Sequence, residues 1–322
     1  MVAKVFGGEA WENRTSESEI LEKVKEIAKV NQSVEGHIPV LFCHEKFTNP
    51  TSSIREALGF LEPTKGSRVL YILVFPKLSP ITKLRGDKLF NVWRQCILCH
   101  IDLWKGGVHH RDISPGNMMW YRDKLGKFMG VMNDYDLSSL ASADGPQGNE
   151  RTGTVPFMAL DLLTARAQRG EVKHLYLHDM ESFVWVFIWI FFRYNSEGDL
   201  LPPAARRFDA WATLGAFQCR KDKLTFLDVL EECSRPDVGN LTWCLLMECA
   251  WVLKEYRHHR SNQNFGQKLG RLIGAIDPSV DGLPGVVEQP EEVETEMDMD
   301  NFLVMFTKTM GWKALERRIR SQ

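Results

Sequence analysis

No apolar run in this 322-residue sequence is long enough to cross a bilayer comfortably. The most apolar stretch, SFVWVFIWIFF at residues 182–192, reads instead as a helix buried in a core. Cysteine is sparse, seven in all, and odd in number with no regular framework. That excludes a disulfide scaffold and points to a reducing, intracellular compartment, cytoplasmic or nuclear. Cys96 and Cys99 have no second matching pair and fall in a run that reads as helix, so zinc is not expected. His109-His110 and His258-His259 are adjacent pairs whose side chains diverge on a helix or strand, so neither is a metal site by itself. The formal net charge of -2 argues against general nucleic-acid binding. The start does not resemble a signal peptide, because Gly7-Gly8-Glu9 interrupts its short apolar opening. What remains is a 44% apolar chain, enough for a substantial core, either as one large two-lobed unit or as two ordinary domains.

Residues 110–117 read His-Arg-Asp-Ile-Ser-Pro-Gly-Asn, and 17 residues after Asn117 comes Asp134-Tyr135-Asp136. Phosphoryl transfer to a hydroxyl needs one carboxylate to orient the nucleophile and accept its proton. It also needs separate oxygen ligands for the magnesium ions that neutralise the phosphates. Asp112 suits the first task and Asn117 one of the others. Between them and Asp134 the chain reads as a hairpin, with apolar runs at Met118 to Tyr121 and Phe128 to Met132 around an Asp123-Lys124-Leu125-Gly126 turn. Such a hairpin returns Asp134 to Asn117 as a second metal ligand. Alone, Asp112 and Asn117 would read as turn residues around Pro115-Gly116. The Asn offset and the acidic motif after a hairpin favour the catalytic reading.

These motifs, with GTVPFMALD at 153–161 and HDMESFVWVF at 178–187, resemble the fungal-type protein kinase domain, a branch of the protein-kinase-like fold, over about residues 2–260. The resemblance implies an α+β, two-lobed fold: a partial small lobe at 1–75 and a mainly helical lobe at 76–276. It implies ATP and Mg2+ as cofactors and Ser or Thr of a protein as acceptor. Asp112 would then be the catalytic base, with Asn117 and Asp134 holding metal and nucleotide. His110 and Arg111 would support the catalytic loop. Asp179, otherwise an N-cap for the apolar helix, would receive backbone N–H groups from that loop. Thr154 would pair with Asp112. In the GTVPFMALD segment Leu160 and Asp161 stand where the family's activation segment ends in Pro and Glu, and the sequence identifies no Arg partner for Asp161. Arg111 would grip a phosphate on Ser138, Ser139, Ser142, Thr152 or Thr154.

Val2-Ala3-Lys4-Val5 resembles the strand whose Lys contacts the α- and β-phosphates. A Lys at such a place is otherwise solvated. Its expected partner is a Glu on the helix TSESEILEKVKEIAKV. Ile20, Leu21, Val24, Ile27 and Ala28 share one face, with Glu17 near its centre, while Glu19 and Glu22 point away. Glu19 also sits three residues after Ser16, where a capping box would use it. Glu17 is therefore the expected partner, although a first-turn Glu also suits the helix dipole. Only three residues precede Lys4, and Gly7-Gly8 follows it, so the Gly-rich loop that covers the phosphates is missing from this sequence. An incomplete gene model, a fragment or a reduced nucleotide lid would each explain that. Weaker ATP binding and an exposed sheet edge are the expected consequences.

Val69 to Phe75 reads as a buried strand broken by Pro76-Lys77-Leu78-Ser79-Pro80, where a hinge would present backbone groups to adenine. Phe90 to Gly107 and Asn240 to Tyr256 read as helices, the second packing through Trp243, Leu246, Met247, Ala250, Trp251 and Lys254. Residues 277–300, with three prolines and seven acids between Glu288 and Asp300, read as a solvated linker. Residues 301–322 read as a tail helix docked on the larger lobe, with Gly311 in its middle. The expected partner is a protein substrate, with neither nucleic acid nor membrane; the oligomeric state is not legible. Three functions stay open: a protein Ser/Thr kinase, a small-molecule kinase of the aminoglycoside or choline type, and a pseudokinase acting as a binding module. Arg111 and the GTVPFMA segment favour the first.

Overall fold

The computed structural model describes residues 1–9, 15–141, 153–276 and 294–321. Ser142, Thr152 and most of the expected linker, 277–293, lie outside the described residues. The chain is a mixed α/β protein of small antiparallel sheets and many helices.

Strand β1 (Val2–Glu9) leads into helix α1 (Glu17–Val30), then β2 (Cys43–Lys46), helix α2 (Thr51–Ala57) and β3 (Arg68–Phe75). The strands form one sheet in the order β1-β3-β2, with β3 central and β1 at an edge. Strand alternation buries Val69, Tyr71, Leu73 and Phe75 on one face of β3. The register places Lys4 opposite Leu73 and Phe6 opposite Tyr71, whose rings stack with centroids 5.3 Å apart. Gly8 is required here, because a Cβ on it would lie 2.6 Å from the Tyr71 ring. The strand therefore runs through Gly7-Gly8 instead of breaking there. In α1, Ser16 caps the helix in a reciprocal box with Glu19, and Glu17, Ile20, Leu21 and Val24 are buried.

Two short strands, β4 (Ser79–Pro80) and β5 (Val108–His109), flank helix α3 (Gly86–Lys105). The expected hairpin forms as β6 (Met118–Arg122) and β7 (Phe128–Met132), with Met118 opposite Met132; β4 extends it, and β8 (Ser139–Leu140) pairs with β5. The Asp123 carboxylate closes its turn by accepting the Leu125 and Lys127 N–H groups. After the single turn α4 (Ala165–Gln168), the apolar stretch becomes α5 (Tyr176–Arg193), with Phe183 to Ile188 fully buried. Trp93 of α3 stacks on Phe187, centroids 4.5 Å apart, and donates its indole N–H to the Phe183 carbonyl at 2.9 Å. Each such side chain contributes roughly 1.5–3 kcal/mol by leaving water. Among the described residues no helix is long and apolar enough to cross a membrane.

Helix α6 (Ala216–Asp228) precedes α7 (Asn240–Ile276), which runs well past the expected end at Tyr256. Its buried stripe is Leu245, Leu246, Cys249, Ala250, Val252 and Leu253. Trp251, expected in the core, is 60% exposed, and Lys254 is half-exposed, because both project to the far side of that stripe. The tail forms two helices, α8 (Glu296–Thr307) and α9 (Met310–Arg320), so helix begins inside the expected linker. Thr295 and Asp298 form a capping box that starts α8. Gly311 lies at the start of α9, where a Cβ would come within 2.8 Å of the Leu245 backbone. Glu248 accepts the Met310 and Gly311 N–H groups at 3.0 and 2.7 Å, capping α9 against α7.

Candidate active site

The return of the hairpin beside its own start is fixed by one backbone bond, Asn133 N–H to the Asn117 carbonyl at 2.8 Å. That bond sets Asp134 one residue beyond Asn117's neighbour. Asp134 has φ 64°, a left-handed conformation that Asp tolerates better than most residues. Its Oδ1 accepts from the Lys4 ammonium at 2.6 Å, and Lys4 reaches Glu17 Oε2 at the same 2.6 Å. Strand β1, helix α1 and the segment after β7 thus meet at Lys4. Glu17 also accepts the Tyr135 N–H through Oε1 at 3.1 Å, which ties α1 to the Asp-Tyr-Asp turn. Tyr135 is fully buried against the His110 ring. Burial pushes the Glu17 carboxyl up despite the facing ammonium. Burial would lower Lys4, but Glu17 and Asp134 hold it above its ordinary value.

On the other side, Asp112 is held from two directions. Oδ1 accepts the backbone N–H and hydroxyl of Thr154 at 2.9 and 2.8 Å, and Oδ2 accepts the Asn117 amide at 2.9 Å. Asn117 Nδ2 also donates to the Asp112 carbonyl at 2.9 Å, so its amide oxygen is left for another partner. His110 lies buried with Nε2 3.1 Å from the Asn133 carbonyl, and burial lowers its pKa. Arg111 sits at φ 68°, a costly conformation for a long side chain. Its N–H donates to Asp179 Oδ2 at 3.0 Å.

Asp179 lies within the first turns of α5, which starts at Tyr176, and is not an N-cap. Its buried carboxylate also meets His100 at 2.9 Å and His174 at 2.6 Å. A carboxylate oxygen only accepts, so both imidazoles present Nε2–H to it. Burial alone would raise this carboxyl, but His174 and His100 hold it well below its ordinary range. Asp161 has a partner the sequence did not identify, Arg260 at 3.2 Å from α7. His100, His174, Glu181 and Lys223 were also missed as members of the surrounding network. Lys223 and Glu181 look like ordinary surface charges in the sequence, and no short motif marks them.

Among the described residues no group of three His, Cys, Asp or Glu could hold a metal by itself. Asn117 and Asp134 suit a magnesium ion that takes its remaining ligands from phosphate and water, as this hard cation ordinarily does. The Asn117 amide oxygen and the Asp134 carboxylate, 39% exposed and now held by Lys4, are the oxygen donors such an ion needs.

A family model of fungal protein kinases matches residues 10–191. The span contains Glu17, Asp112, Asn117, Asp134, Thr154 and Asp179; Lys4 precedes it. The match is shorter than the stretch over which the motifs resemble that family. No curated protein matches the chain. With more than half of its length matched, the chain belongs to the fungal protein kinase family.

Proposed function

We propose that this protein transfers the γ-phosphoryl group of ATP to Ser or Thr of a protein substrate, within a two-lobed kinase arrangement. The observation that carries the reading is the convergence of Lys4, Glu17 and Asp134 at 2.6 Å contacts from three separate segments. A Lys held between a buried Glu and an Asp that would ligate a metal is placed to grip the phosphates. Glu17 keeps Lys4 oriented for that role. Asp112, fixed by Thr154 and Asn117, orients the acceptor hydroxyl and takes its proton. Asn117 and Asp134 would hold magnesium, which supplies charge neutralisation on the phosphates. The Thr154 link joins Asp112 to the GTVPFMA segment, and that favours a protein acceptor over a small molecule.

The alternative outcome is a binding module without transfer. A test is incubation with magnesium and γ-labelled ATP in the presence of a mixed protein substrate, followed by phosphoamino-acid analysis. Label on Ser and Thr, lost in Asp134→Asn, supports transfer. Thermal stabilisation by Mg·ATP without any label supports the binding module. Neither label nor stabilisation contradicts both.

A further inference from the structure

The GTVPFMALD segment is held by three charged side chains, of which Lys223 lies in the core. Lys223 of α6 is fully buried and donates to the Met158 carbonyl at 2.6 Å. Its ammonium lies 4.6 Å from the centroid of the Trp185 ring and 5.5 Å from that of Trp211. Glu181 of α5 accepts the Leu160 N–H and the Trp185 indole N–H, both at 2.8 Å. Arg220 Nε donates to the Leu160 carbonyl at 3.1 Å. The backbone groups of residues 158 and 160 are therefore gripped by a cation, an anion and a guanidinium.

Burying an ammonium costs several kcal/mol even after relaxation, and an apolar side chain of similar size is often neutral or stabilising in its place. Burial pushes Lys223 down to about 8. Stability alone does not account for a lysine between two tryptophans. The hydrogen bonds lead to a use. Met158 and Phe157 N–H groups both return to the Thr154 carbonyl, at 3.2 and 2.8 Å, closing a tight turn. Thr154 in turn donates both its backbone N–H and its hydroxyl to Asp112 Oδ1. Lys223 and Asp112 are thus joined through one hydrogen-bonded turn.

We propose that Lys223 and Glu181 are positioning residues that fix the peptide planes at 158–160 and, through the Thr154 turn, the orientation of the Asp112 carboxylate. The proposal rests on the kinase reading for the role of Asp112, but the clamp itself has a readout independent of catalysis. A clamp acts on backbone groups. Its loss therefore appears as faster amide exchange confined to the segment, without general loosening.

The test compares the full chain with Lys223→Met, Glu181→Leu and Glu181→Gln by hydrogen exchange, thermal unfolding and steady-state kinetics. Lys223→Met is expected to speed exchange at residues 157–160 at least tenfold while α5 and α6 keep parental protection, with an unchanged or higher Tm. In the same variant kcat falls roughly 10- to 100-fold with little change in KM for ATP, as a small displacement of a reacting group does. Glu181→Gln keeps an oxygen for the Leu160 N–H and retains protection that Glu181→Leu loses. This pair decides the matter if Lys223→Met does not fold. Parental exchange at 157–160 in Lys223→Met, or in both Glu181 variants, overturns the clamp. So does exchange that rises equally through α5 and α6. A parent protein without transfer activity contradicts the kinase reading and leaves the exchange data to judge the clamp. Parental kcat and exchange in an active Lys223→Met contradict the clamp alone.

Discussion

Replacing Asp179 tests how the apolar helix α5 holds the catalytic loop. The carboxylate makes three bonds: Oδ2 takes the Arg111 N–H and the His100 imidazole, and Oδ1 takes His174. Asp179→Ala leaves buried His100 and the partly buried Arg111 N–H and His174 without their acceptor. Breaking a buried charged network in this way costs about 3–5 kcal/mol. For a chain of this size each kcal/mol lowers Tm by roughly 2 °C, so a fall of roughly 6–10 °C is expected. Asp179→Asn keeps one oxygen. If that oxygen stays on the Arg111 side, only His174 loses its acceptor and can turn a bare nitrogen to the new amide, so the loss should be smaller, about 1.5–3 kcal/mol. The catalytic loop should suffer more than the fold, because Arg111 holds a left-handed φ of 68° that the Asp179 bond helps to maintain. Thermal unfolding and transfer assays on the same preparations separate the two effects. An Asp179→Ala protein with Tm within 1 °C of the parent, or with parental kcat, would refute the idea that Asp179 anchors the loop.

Two further outcomes follow from the tail. Gly311→Ala would bring a methyl group within 2.8 Å of the Leu245 backbone and 2.7 Å of the Glu248 carboxylate. Overpacking against backbone costs about 1–3 kcal/mol, and urea unfolding should show a lower midpoint with α9 loosened from α7. Glu294 accepts the Tyr176 and Leu177 N–H groups at the start of α5, and burial pushes its carboxyl up to about 7. A raised carboxyl means the folded state holds the proton more tightly, so this group's contribution declines as pH rises from 4.5 through 7 and is level above that. Tm measured across that range should fall less steeply in Glu294→Gln than in the parent; identical slopes would contradict the assignment. Asp179 works in a different window. Its contribution is present above its ordinary 3.8 and is lost as pH falls toward its lower folded value.

The site was legible where chemistry and periodicity coincide. The offset between Asp112 and Asn117 and the hairpin returning to Asp134 are local, and helical spacing with the Ser16 capping box separated Glu17 from Glu19 and Glu22. Other features depend on elements distant in sequence. Arg260 meets Asp161 only because α7 continues past Tyr256 and crosses beneath the segment. His100 looks unremarkable until α3 packs on α5 and brings it to Asp179, which His174 meets from the segment just before α5. Lys223 is the extreme case, since a buried lysine and a solvated one have the same letter. Strand β2 and helix α2 carry weak local signals, with every β2 residue exposed and no buried residue in α2. In the tail, Gly311 read as the middle of one helix, whereas it lies at the start of α9, where close packing on α7 requires it.

The central claim is that Asp112 works with Mg·ATP held between Lys4, Asn117 and Asp134. Its most direct test is the rate of γ-phosphate transfer to protein, parent against Asp112→Ala, with Mg·ATP affinity measured on both. Transfer by the parent that falls at least a hundredfold in Asp112→Ala, at similar Mg·ATP affinity, is the expected result. Equal rates from both proteins would contradict the assignment of Asp112.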